Sequence, residues 1–173
     1  MRPNFSHQAQ RVAIFIDVQN LYHSAKNLFK AKVNFENAIK YAIKNRALLR
    51  IFAYVVKTED TPGETAFFDA LKSFGIELRI KDLQIFPGGM KKGDWDVGMT
   101  VDAIRLAPSV DAVVLATGDG DFTPLVEYLQ AQGKFVEVMA FSKSASSKLK
   151  EQADSFIDLG EKPKTFLLPG SKN

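Results

Sequence analysis

Five short apolar runs punctuate the chain: Val12–Ile16, Ile51–Val56, Ile76–Ile80, Ala112–Ala116 and Phe135–Ala140. Most are continuous or nearly so rather than alternating, the pattern of strands buried on both faces, as in parallel sheets. Between them apolar residues recur at helical spacing. Phe35, Ile39, Ala42 and Ile43 form one such set, and Phe67, Ala70, Leu71 and Phe74 another; Val97, Val101 and Ile104, then Leu125, Val126 and Leu129, complete the series. Gly75 and Gly133 mark helix ends just before strands. The order is β-α-α-β-α-β-turn-α-β-α-β-α, with a last strand at Phe156–Leu159. Strands alternating with helices predict an α/β fold with a mostly parallel sheet.

The punctuation between elements divides the chain further. Ile85–Lys92 carries Pro87, Gly88 and Gly89 and reads as a protruding turn or short hairpin. Ser142–Lys148 (SKSASSK) reads as a loop running into a helix start. The expected organisation is a polar segment over 1–10, one domain over 11–160 and a loosely attached tail over 161–173.

Length and composition agree with one domain. The chain has 173 residues, 46% of them hydrophobic and 25% charged, an ordinary globular balance that excludes wholesale disorder. It has no Cys and only two His, His7 and His23, so disulfides, Cys-based zinc sites and His-rich metal sites are excluded. The net charge is +3, mildly basic, which permits a nucleic-acid partner without requiring one. No stretch is long and apolar enough for a membrane helix, and Met1–Gln10 lacks the apolar core of a signal peptide. The expectation is a cytoplasmic protein without a membrane partner.

Candidate chemistry gathers where strands end. In open α/β sheets the functional crevice lies beyond the carboxyl ends of the strands. Asp17 follows the first strand (VAIFIDVQN) and Asn20 comes three residues later. Asp119 and Asp121 follow the fourth strand (VVLATGDGDFTP), and Asp94 and Asp96 open the helix leading into it (KKGDWDVGM). If strands one and four are neighbours, these groups converge. Each has a plainer reading. Asp17 suits a helix cap or Asx-turn, Asp94 the cap of a helix beginning at Trp95, and Asp96 a first-turn acid favoured by the helix dipole. On the helical wheel Asp102 reads as solvent-facing or as supporting the site from behind. Asp119 and Asp121 are harder to dismiss, because a GDGD loop does not need two caps.

Were four carboxylates to converge within ~5 Å, each ionised pair would repel by roughly 3 kcal/mol at an effective dielectric near 20. Either several pKa values rise or a cation sits among them. All-oxygen donors suit Mg²⁺ or Mn²⁺, ions that activate water and hold phosphate oxygens. Lys91, Lys92, Lys143 and Lys148 either receive a polyanion around that centre or form an ordinary solvated surface. Trp95 and Phe122 flank the acids and could stack bases, with buried packing the better reading for Phe122.

Three stretches, IFIDVQN, KKGDWDVGMTVDAI and TGDGDFTPLVEYLQAQGKFVEVM, together with LKEQADSFIDL, resemble the NYN domain, a PIN-like nuclease family, and most of all its bacterial LabA-like members. The resemblance spans roughly Arg11 to Leu159. It implies a three-layer α/β/α fold with strand order 3-2-1-4-5, which makes strands one and four neighbours. It also implies a Mg²⁺- or Mn²⁺-dependent ribonuclease site, with Asp17, Asp96, Asp119 and Asp121 at the family's acidic positions and Asn20 at its Asn. Asp102 matches a recurrent acid of the helix. One departure is Thr117-Gly118-Asp119-Gly120-Asp121, where the family often carries Ser-Gly-Asp-Ser-Asp; Gly120 gives up a hydroxyl.

The expected function is hydrolysis of RNA, single-stranded or structured, by metal-activated water. Asp17, Asn20, Asp96, Asp119 and Asp121 would be catalytic, with the four acids on the metal. Lys92, Trp95, Thr117 and Lys143 would contact substrate, and Asp94 and Asp102 would support from behind. The alternative is a non-catalytic regulatory module binding RNA or protein. A phospho-acceptor receiver domain fits poorly, since no acid precedes Asp17, and a haloacid-dehalogenase-type phosphatase would need Asp-x-Asp where this chain has Asp17-Val18-Gln19. A Phe67/Phe68/Phe74 face reads as core or as the surface of a homodimer.

Overall fold

The structure, a computed structural model, describes residues 9–58 and 61–169. In chain order its elements are β1 (Arg11–Asp17), α1 (Val18–Phe29), β2 (Lys32–Val33), α2 (Phe35–Ile43), β3 (Ala47–Lys57) and α3 (Pro62–Ser73). Next come β4 (Glu77–Asp82), β5 (Gln84–Ile85), β6 (Lys91–Lys92), α4 (Asp96–Leu106), β7 (Ala112–Ala116) and α5 (Thr123–Ala131). The series ends with β8 (Phe135–Ala140), α6 (Ser147–Gln152), β9 (Ser155–Asp158), α7 (Pro163–Phe166) and β10 (Leu167–Leu168).

Six strands form the central sheet in the order β4-β3-β1-β7-β8-β9, and every pairing in it is parallel. Counted along the chain this is 3-2-1-4-5-6, so the expected order is extended at one edge by β9. The apolar runs of the inner strands are continuous because both faces are covered. Val12, Ile14 and Ile16 point to the layer of α1, α2 and α3, with Leu21, Ile39 and Leu71. Ala13 and Phe15 point to the layer of α4, α5 and α6, with Met99, Val126, Leu129 and Leu149. All five residues of β7 are fully buried. The hairpin expected near Ile85–Lys92 is β5 paired with β6. Gly75 and Gly133 take positive φ at their turns, a conformation that favours glycine.

Four readings are corrected. The helix after the hairpin begins at Asp96, with Trp95 at its cap position and no side-chain cap bond, so Asp94 is not its cap. Its buried residues are Met99 and Ala103, while Val97 and Val101 stand exposed. Both sets have helical spacing, and it is the Met99/Ala103 side that meets the sheet; the side chain of Trp95 lies against Gly98, where an added Cβ would come within 2.6 Å of the indole. The tail from Glu161, finally, is docked as far as residue 169. Phe166 is 1% exposed, its ring lies 5.3 Å from that of Tyr41, and β10 pairs antiparallel with β2. Similarly, in α3 it is Phe68 and Leu71 that are buried, whereas Ala70 and Phe74 are exposed.

One charge is buried inside β8. Glu137 is fully buried between Lys44 and Arg46, each with a nitrogen 2.5 Å from a carboxylate oxygen. Lys44 makes an aligned hydrogen bond; Arg46 spends its own donors on the Ile43 and Ala42 carbonyls and meets Glu137 as an ion pair off the hydrogen-bonding direction. Two cations around one anion offset the desolvation of the carboxylate.

Candidate active site

The acids come together because β1 and β7 are neighbours. Asp17 ends β1 and caps α1: one carboxylate oxygen accepts the Asn20 N–H at 3.2 Å. The other accepts the hydroxyl of Thr117 at 3.0 Å. The helix-cap reading and the site reading of Asp17 are therefore both true of one side chain. Asn20 reaches across to β7's loop, its Oδ1 accepting the Gly118 N–H at 2.8 Å. Gly118 has no room for a side chain, since a Cβ would lie 3.0 Å from the Ala145 Cα.

The GDGD loop is closed by its own groups. Asp119 donates its N–H to Thr117 Oγ1 at 3.2 Å and accepts the Asp121 N–H at 2.9 Å, capping a single 3-10 turn over Gly120–Phe122. Phe122 is buried, as its plainer reading required, and Thr123 donates its hydroxyl to the Gly120 carbonyl at 2.6 Å. Gly120 is tightly placed as well: a Cβ there would come 2.8 Å from Ser146 Oγ, and Ser146 caps α6. A side chain at 120 would therefore have to be accommodated by Ser146.

Oxygens of Asp96, Asp119 and Asp121 lie within 4.8 Å of one another. Asp17 stands behind this trio. It lines, with Asn20, Tyr54, Asp94, Trp95, Asp96 and Asp119, a cleft of about 200 Å³. Burial, then the charges of Asp119, Asp94, Asp17 and Asp121, push the Asp96 carboxyl up to about 6. Burial also raises Asp17, with Asp119 adding to it and the bonds from Asn20 and Thr117 opposing. Among the described residues no lysine or arginine forms an ion pair with the trio. Three crowded carboxylate oxygens lacking a protein cation fit a divalent ion with a preference for oxygen.

The remaining predicted residues are distributed around this centre. Thr117 is fully buried, so it orders Asp17 and Asp119 instead of touching substrate. Trp95 is committed to the wall: its indole donates to the Val55 carbonyl at 2.9 Å, packs 5.5 Å from the Tyr54 ring and lies under Lys81 at 4.2 Å. Asp94 is exposed at the rim. Asp102 is not solvent-facing: it accepts the Tyr54 hydroxyl at 2.8 Å and Arg79 Nε at 3.3 Å. Lys92 and Lys143 are exposed, on the hairpin and on the loop that passes Gly118, as are Lys91 and Lys148.

Two residues were missed. Tyr54 lines the cleft and is held by Asp102; burial and that carboxylate keep its phenol protonated well above its usual range. Its signal was a hydroxyl near the carboxyl end of the second long apolar run. Gln19 also lines the cleft, and its position between Asp17 and Asn20 was the available hint.

A three-layer α/β domain with an acid cluster at the carboxyl edge of strands one and four is the architecture of the PIN-like nuclease class. Within that class the chain belongs to the NYN domain family, whose model matches residues 11–160. It is similar to the low amplitude and bright protein LabA of Synechococcus elongatus, 26% identical over 87% of this chain and 84% of that protein. A stretch of 80 residues is 36% identical to the uncharacterized protein MJ0482 of Methanocaldococcus jannaschii, covering 45% of this chain and 33% of that one. Among solved structures, a protein of unknown function from Vibrio parahaemolyticus, VPA0982, superposes with a TM-score of 0.85 at 34% identity, over 94% of this chain and 99% of that one.

Proposed function

We propose that the protein is a divalent-metal-dependent ribonuclease hydrolysing phosphodiester bonds of single-stranded or structured RNA. The observation that carries this is the trio Asp96, Asp119 and Asp121, crowded within 4.8 Å with no protein cation paired to it among the described residues, in an NYN-family fold. These three would hold Mg²⁺ or Mn²⁺, and the bound ion would supply Lewis acidity and lower the pKa of water. Asp17 fixes the floor through Thr117 and Asn20 and adds negative charge behind the trio. Asn20, its oxygen occupied by Gly118, keeps its amide hydrogens to orient water or a phosphate oxygen. Lys92 and Lys143 supply positive charge at the approaches, where a polyanionic strand arrives. Among the described residues no helix is long and apolar enough to cross a membrane, and we place the activity in the cytoplasm.

The test is incubation with labelled single-stranded and hairpin RNA in Mn²⁺, Mg²⁺ or EDTA. Metal-dependent cleavage that disappears in Asp119→Asn supports the reading. Cleavage unchanged in Asp119→Asn comes from a contaminant and overturns it, and metal-free binding without cleavage favours a regulatory module.

A further inference from the structure

Beside the acid cleft the protein carries a much larger apolar groove of about 680 Å³ between α1, the start of α2, the end of β3, and α3. Its size falls in the range of small-molecule sites, roughly 300–1,000 Å³, and the metal chemistry above makes no use of it. Aromatic rings line it: Tyr22 on α1, Phe35 on α2, Phe67 and Phe74 on α3, the Phe35 and Phe67 rings in tilted contact at 5.9 Å. Tyr22 and Phe74 are more than 40% exposed; Tyr22 is braced by Lys26 and His23 and still presents open ring surface to a planar group. Polar and charged groups stand along its edge, among them Gln19, His23, Asn34, Lys32, Glu36 and Glu64, so an inserted ring would meet donors and acceptors at its rim. The groove adjoins the acid cleft, with Gln19 standing between and lining both. Gln19 lies two residues past Asp17, so the mouth begins within about 7.6 Å of the acid along the main chain.

We propose that this groove is a nucleobase subsite, taking an unstacked base of the same RNA strand whose phosphate lies at the acid trio. The proposal rests on the ribonuclease reading for its ligand. Proximity to the cleft selects the occupant: a strand whose phosphate sits at the acids must place its neighbouring bases nearby, and aromatic walls accept any base face. A concave slot also suits an inserted ring better than a second copy, which needs about 800 Å² of face from each partner.

The experiment uses RNA tetranucleotides carrying fluorescent 2-aminopurine at one position at a time, titrated with the protein in EDTA. Stacking in the groove quenches one position saturably. Ala70 lies on the groove wall and is exposed, so Ala70→Trp fills the slot from a surface position; it weakens binding about tenfold or more, the loss expected for one base–aromatic stack. Tyr22→Ala, at a second exposed wall position, does the same. An abasic residue at the quenched position lowers affinity for the wild-type protein by a similar factor. The proposal is overturned if 2-aminopurine stays bright at every position, if abasic and intact strands bind equally, or if neither variant weakens binding. It is also overturned if sedimentation shows a dimer that Ala70→Trp dissociates while the probe remains bright, which assigns the groove to a second copy. Quenching without any Mn²⁺-dependent cleavage removes the ribonuclease reading and leaves the base site; cleavage without quenching does the reverse.

Discussion

Replacing Asp96 with Asn should make the metal-free protein more stable while removing its response to metal. Two unit charges 4.8 Å apart repel by about 0.9 kcal/mol in water and about 3.5 kcal/mol at an effective dielectric of 20. Asp96 faces two such carboxylates, and Asp121 is exposed, so the water-like figure governs. Relief of both repulsions is then about 2 kcal/mol, less about 0.3–1 kcal/mol for the charge lost from the first turn of α4. A net gain near 1 kcal/mol raises Tm by about 2–4 °C in a chain of this size. The sign depends on pH. The Asp96 carboxyl titrates at about 6 in the folded protein and near ~3.9 when unfolded. The folded state therefore binds more protons between these values, and its stability falls as pH rises through that window. In EDTA the advantage of Asp96→Asn should be full at pH 8 and gone near pH 4. With Mn²⁺ at about one hundred times its Kd, the wild type gains about 2.7 kcal/mol, and the variant gains far less. A thermal melt at two pH values, with EDTA or Mn²⁺, reads all of this. An Asp96→Asn protein that melts below wild type in EDTA at pH 8, or that gains as much from Mn²⁺, would refute the reasoning.

Other outcomes follow from single contacts. Gly120→Ala forces its Cβ against Ser146 and should cost about 1–2 kcal/mol in urea unfolding; Ser146→Gly, a mild change at a helix cap, should recover most of it in a double-mutant cycle. Asn20→Ala leaves the Gly118 N–H without its acceptor and should cost about 1–3 kcal/mol, with a larger fall in cleavage rate than in RNA affinity. Phe166→Ala should cost about 3–5 kcal/mol, whereas a tail that was merely attached would tolerate it without a change in Tm.

The inner strands were legible because they are buried on both faces, so the pattern needed no partner to be read. Their adjacency was not in the pattern; it came from the resemblance, and only the register of Val12–Ile16 against Ala112–Ala116 brings Asp17 to the GDGD loop. The acids themselves were readable as residues that a strand end does not need. Their division of labour was not, since it depends on which oxygen Thr117 reaches. Along α4 two apolar stripes compete at equal period, and what decides between them is packing against the sheet, which the pattern does not carry. Phe166 escaped notice because its anchor, Tyr41, lies more than a hundred residues earlier.

The bond from Asn20 to Gly118 joins groups 98 positions apart in the chain, and that from Thr117 to Asp17 spans 100. Contacts of such separation form late and slowly, and during synthesis the amino-terminal part emerges first. A growing chain thus carries Asp17 and Asn20 into solution long before the loop that completes their geometry exists. No nascent fragment ending before Asp121 contains the acid trio. The trio forms only once the chain has been made past that point and β7 has slotted in beside β1, so its geometry reports that this long-range pairing is in place.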